Sequence, residues 1–145
     1  MGHIDYEPVT SLDALIDMSD AAARATLVRL RERIAMLDGP LDQRVVYDGR
    51  HHKPVLAFFR GGDTVLHLYP EPNIGVGLHC AMPIRVAEEE MLDLAGLAEK
   101  VREAVSRARA HHNVLWVELV LYGPAQADDL IDLLARRMDL LPRTH

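Results

Sequence analysis

The feature that most constrains this chain is a change of hydrophobic period near residue 43, from helical spacing to alternation. The alternating stretches are joined by turns too short to hold a crossover. Gln43–Tyr47 is a predicted strand, followed by a polar loop through Asp48, Gly49 and His51–Lys53; Pro54–Arg60 is the next strand. Gly61-Gly62 then signals a hairpin, because tight two-residue turns need positive φ and glycine accepts it without steric cost. Thr64–Tyr69 follows, then the turn residues Pro70-Glu71-Pro72-Asn73, then Ile74–Cys80. Parallel neighbours would require a long connection, so the segment dictates an antiparallel meander.

Helical patterns flank the meander. Ser11 is placed to cap a short helix bearing Leu12, Leu15 and Ile16. Ser19 is placed to cap a longer one with Leu27, Leu30, Ile34 and Leu37 on one side, stopped by Asp38-Gly39-Pro40. After Pro83, residues 86–110 read as helix in two pieces around Gly96, ended by His111-His112-Asn113. Val114–Tyr122 is a strongly apolar strand, and Pro124 opens a last helix with Leu130, Ile131, Leu134 and Met138. The expected fold is α+β: a mainly antiparallel five-stranded sheet with helices packed on it, in the order α-α-β-β-β-β-α-β-α. One domain spans residues 1–145, with an irregular start over 1–10 and a tail at 142–145.

Alternation assigns side chains to faces. Leu66 and Leu68, Val76 and Leu78, and Leu115 to Leu121 at every second position form an apolar side for helices to cover. A three-residue turn at Glu71–Asn73, odd in length, puts His67, Tyr69, Gly75, Gly77, His79, Trp116, Glu118 and Tyr122 together on the other face. Glycines within a strand project nothing, so that face is expected to be hollow. Two alternatives stay open: a ligand cleft lined by His67, Tyr69, His79, Trp116, Glu118 and Tyr122, or a face filled by the amino-terminal helices.

Composition narrows the function classes. The formal charge of −6 over 145 residues, without a basic stripe, argues against a nucleic-acid partner. The clusters Arg29/Arg31/Arg33 and Arg136/Arg137 sit beside acids in helical patterns and read as solvated helix faces. The single cysteine, Cys80, permits no intramolecular disulfide and lies in an apolar row, which suggests a buried small hydrophobe in a reducing, cytoplasmic setting. No secretory pattern opens the sequence, and no apolar run approaches the roughly 20 residues of a membrane span, so no membrane partner is expected.

The 8 histidines include the adjacent pairs His51-His52 and His111-His112, but metal-binding spacings are missing, and no metal or cofactor is expected. The acids Glu88-Glu89-Glu90 fit a helix start, where negative charge meets the positive end of the helix dipole. Nucleophile-elbow, phosphate-loop and dinucleotide patterns are also missing.

The stretch KPVLAFFRGGDTVLHLYPEPNIGVGLHC, with Leu68-Tyr69-Pro70 after the third strand, then VLWVELVLY and a closing helix, resembles a small bacterial family of uncharacterised domains of unknown function. It is similar in layout to the YdhG-like proteins, which are related in shape to frataxin-type iron chaperones. The resemblance covers about two thirds of the chain, from about Leu37 to Arg137, and implies a fold but no activity.

The expected function is non-enzymatic binding of a small molecule or a protein partner, a second copy of the chain included, on the Trp116/Glu118/Tyr122 face. The alternative is a small enzyme using His67, His79 and Glu118 for acid–base work.

Overall fold

A computed structural model describes residues 9–70 and 77–140. The expected turn at Glu71–Asn73, Gly75, the first part of the 74–80 strand, most of the irregular start and the tail lie outside the described residues.

Ser11 caps the first helix as expected, its hydroxyl accepting from the Ala14 amide at 3.1 Å; this helix, α1, spans Leu12–Met18. The second, α2, is Ala21–Ala35, and its cap is Asp20 rather than Ser19. Asp20 accepts from the Ala23 amide at 2.9 Å, whereas the Ser19 hydroxyl turns back and donates to the Leu15 carbonyl. The strands follow as β1 (Asp42–Asp48), β2 (Lys53–Arg60), β3 (Asp63–Tyr69) and β4 (Leu78–Arg85). A short α3 (Val86–Glu89) and α4 (Glu99–Arg107) lead to β5 (Arg109–His111), β6 (Val114–Leu121) and α5 (Pro124–Met138).

The fold is α+β with an antiparallel sheet, but the sheet has six strands, ordered β1-β2-β3-β4-β6-β5, where five were expected. The additional strand, β5, occupies residues read as helix and helix end. His112 and Asn113 adopt φ of 51° and 63° between paired His111 and Val114, a two-residue hairpin turn with both residues left-handed. That turn folds Arg109–His111 back along β6. Gly61-Gly62 makes the expected hairpin between paired Arg60 and Asp63, with Gly61 at φ 60°.

Two further boundaries move. Residues 90–98 are irregular between α3 and α4, so the 86–110 segment is far less helical than its pattern suggests. Pro83 lies inside β4, opposite Trp116, instead of closing the sheet segment. A proline is tolerated there because β3 pairs with β4 only as far as Ala81, so no donor is required on that side.

One main core joins Leu12, Leu15, Leu27 and Leu30 of the first helices to Phe58, Leu66 and Leu68 of the sheet and to Leu130, Ile131 and Leu134 of α5. The amino-terminal helices therefore share the side of the sheet that α5 covers. Arg29 and Arg33 reach Asp128 at 2.7 and 3.0 Å and Arg33 reaches Asp132 at 3.0 Å, binding α2 to α5. Arg137 corrects the expectation of a solvated helix face: it is buried, 3.0 Å from the buried Glu88, and its Nε donates to the Pro83 carbonyl at 3.1 Å.

Candidate functional site

The sheet face away from the helices carries the residues singled out by alternation. Tyr69 lies opposite His79, His67 opposite Ala81, and Ala81 opposite Glu118, with Trp116 two residues before Glu118 on the same side. A three-residue turn would have set Tyr69 opposite Gly75; the observed partner is four residues further on. An even offset preserves side-chain parity, so His67, Tyr69, His79, Trp116, Glu118 and Tyr122 still share one face.

At Gly77, the described one of the two glycines, the expected hollow is filled. Gly77 is left-handed at φ +98°, and a Cβ there would meet Val120 Cγ1 at 2.5 Å and the Tyr122 ring at 3.0 Å, so neighbouring side chains take that space. The small side chain at the middle of the face is Ala81. It forms a second, minor apolar cluster with Val55 and Tyr69, against which Val46 and Trp116 pack.

What organises this face is the loop between β1 and β2, residues 49–52, which closes with His52 left-handed at φ 54°. Asp48 starts the loop and accepts from the Arg50 amide at 2.9 Å, an Asx turn that aims Arg50 back over the sheet. The Arg50 guanidinium sits 4.0 Å above the Trp116 ring. It also donates to the Tyr69 hydroxyl at 2.9 Å, and that hydroxyl donates to Asp48 Oδ2 at 2.8 Å. Arg50 Nε is buried without a hydrogen bond, 3.8 Å from Asp48 Oδ1. His51 stands edge-on to Tyr69 at 5.3 Å, with Nε2 3.4 Å from Glu118 Oε1, while Arg50 lies 3.7 Å from the same oxygen.

Burial and charge set the protonation of this cluster. Burial pulls the Asp48 carboxyl up, but hydrogen bonds from Tyr69 and the Arg50 amide, with Arg50 and His51 alongside, outweigh it and hold Asp48 below the usual carboxylate range. The Tyr69 hydroxyl is pushed up by burial and by its bond to Asp48. His67, packed 5.0 Å from Trp116, is lowered to about 4, chiefly by burial and further by Arg50, against the pull of Asp48. It is neutral at physiological pH, and its Nδ1 has no hydrogen bond. Cys80 is buried on the helix side, its thiol pushed up by burial, which keeps it protonated and unreactive.

Two adjoining depressions open beside this cluster. One, about 460 Å³, is lined by His51, Lys53, Tyr69, His79 and Glu118 among others. The other, about 630 Å³, runs between Trp116 and Glu118 on β6, with Tyr122 just past its end, and Lys100 and Arg107 on α4. It exists because β5 ends after three residues, paired only with Val114 to Trp116, so the sheet edge steps back and α4 stands along the gap.

Of the expected residues, His67, Tyr69 and Trp116 join one packed cluster. Glu118 turns toward the loop, and His79 and Tyr122 line separate depressions. Asp48, Arg50 and His51 were not singled out from the sequence. The signal available was the Asp48-Gly49 turn holding an arginine and two histidines in a four-residue loop. Among the described residues, no three His, Cys, Asp or Glu side chains gather closely enough to hold a metal ion, and no helix is long and apolar enough to cross a membrane. Comparison with protein-family models, curated proteins and solved structures finds no match to this chain. A functional reading rests on the geometry alone.

Proposed function

We propose that this protein is a non-enzymatic binding module whose ligand, a small molecule or a segment of a protein partner, docks on the helix-free sheet face beside Trp116. The observation that carries this reading is the Arg50 guanidinium held over the Trp116 ring, with Tyr69 and Asp48 fixing it from behind. A side chain braced by three partners is preorganised, and preorganisation lowers the entropic cost of binding. The adjoining depression of about 630 Å³ falls within the range of small-molecule sites.

Acid–base chemistry by His67, His79 and Glu118 finds less support. His67 and His79 are diagonal neighbours on the face, but His67 is only 7% exposed beneath Trp116, and Glu118 contacts Arg50 and His51.

Trp116 is the only tryptophan in the chain, so its fluorescence reports on this face directly. Screening a metabolite collection by thermal shift and Trp116 emission should find compounds that move both. Trp116→Ala and Arg50→Ala should abolish the thermal shift while each variant keeps a cooperative unfolding transition. Compounds that stabilise the wild type and both variants equally would place binding elsewhere and defeat the reading.

A further inference from the structure

Resting on that reading, we infer that the depression between β6 and α4 takes a compact organic anion: a phosphate- or carboxylate-bearing compound with a flat ring. Three cations converge there, Lys100 and Arg107 from α4 and Arg109 from β5, and all three are exposed. None makes an ion pair among the described residues.

The contrast with the helix side gives this weight. There Arg29, Arg33 and Arg137 are each matched to a carboxylate at 3.0 Å or less. A chain of net charge −6 that matches those arginines to acids gathers these three cations, unmatched, around one concavity. With Arg50 they make four cations against two acids, Glu103 and Glu118, so the local field is positive within an acidic molecule. The opposite wall supplies the rest of the chemistry. Tyr122 is 67% exposed and lines the depression, offering a surface for a planar group, with half-buried Trp116 beside it under Arg50. An anion at α4 and β5 with its ring against Tyr122 uses both walls at once.

The probes are ADP, which joins ring to anion, adenosine, which has the ring alone, and pyrophosphate, which has the anion alone. Binding is read by amide chemical shifts and calorimetry on the full chain. ADP should saturate with shifts confined to residues 99–109 and 116–122, and bind about tenfold more tightly than adenosine or pyrophosphate. The paired substitution Lys100→Glu and Arg107→Glu should weaken ADP by about tenfold or more and adenosine by less than about twofold. Arg102→Glu, an exposed cation of α4 outside the depression, should leave ADP within about twofold. Adenosine binding as tightly as ADP, ADP shifts mapping elsewhere, equal losses in both charge variants, or no saturable ADP response would each overturn the inference. In that event, a neutral metabolite that still moves Trp116 leaves the binding face standing; if no compound moves it, both readings fall.

Discussion

His67 shows how one residue's surroundings become a property of the whole molecule. Its imidazole is buried beside Trp116 and neutral in the folded state, with its pKa lowered to about 4 from 6.5. Between those values the unfolded chain binds a proton at His67 that the folded chain does not. Stability is therefore fully present above pH 6.5 and lost as pH falls toward 4. The loss attributable to this group is about 3 kcal/mol across the window. Asp48 acts with the same sign at lower pH: its folded pKa is depressed, so its contribution disappears as the carboxylate is finally protonated. Urea unfolding at a series of pH values should show His67→Gln with a flattened profile between pH 6.5 and 4, and a remaining acid limb below it. A wild-type profile level across that window would contradict the buried, neutral imidazole.

At the scale of elements, the register of β4 is held where Gly77 leads into the strand. With φ at +98° and Val120 and Tyr122 against it, that position admits no side chain without both backbone strain and displacement of those two side chains. Gly77→Ala should cost about 2–4 kcal/mol in chemical denaturation and should shift the amide resonances of Val120 and Tyr122. Gly62, where an added Cβ would meet nothing within 4 Å and φ is not left-handed, serves as the comparison and should tolerate Ala within about 1 kcal/mol. Equal effects at the two glycines would mean that Gly77 is not in this packed position.

The same elements show what the sequence could reveal. Strands β1, β2, β3 and β6 were legible because alternation and glycine turns are local signals, and parity alone put the six residues on one face although the β3–β4 register is shifted by four residues. Strand β5 was not, because Arg-Ala is good helix material and the hairpin is made by His112 and Asn113 without a glycine. Arg50 was invisible for a different reason. No periodicity governs which way a four-residue loop folds, and its aim is set by the Asp48 carboxylate and the Tyr69 hydroxyl, contacts made across the sheet.

For the whole molecule, the decisive unsignalled contact is the pair Glu88–Arg137, which joins α5 to the end of β4 and to α3. Both side chains are buried, at 9% and 3% exposure, and they stand 3.0 Å apart but too misaligned for a hydrogen bond. Burial pulls the Arg137 pKa down while Glu88 pulls it up. Removing Glu88 strands the Arg137 charge in the interior, and removing Arg137 leaves buried Glu88 only the solvated Arg85 at 3.6 Å, so Arg137→Met or Glu88→Leu alone should cost about 3–5 kcal/mol. The double variant places two apolar side chains in contact and should recover most of that loss. Recovery should stop short of complete, because Arg137 Nε also donates to the Pro83 carbonyl, and leaving that acceptor unpaired costs about 1–3 kcal/mol. Arg85, 3.6 Å from Glu88 and 3.0 Å from Asp63, is solvated and keeps its second partner in either variant, so it should not change the sign of the coupling. A double-mutant cycle measured by denaturant unfolding therefore should give a coupling well above 1 kcal/mol, with the residual cost assigned to Pro83. Strictly additive losses would show that the two side chains do not meet, and with that the packing of α5 against the end of β4 would be wrong.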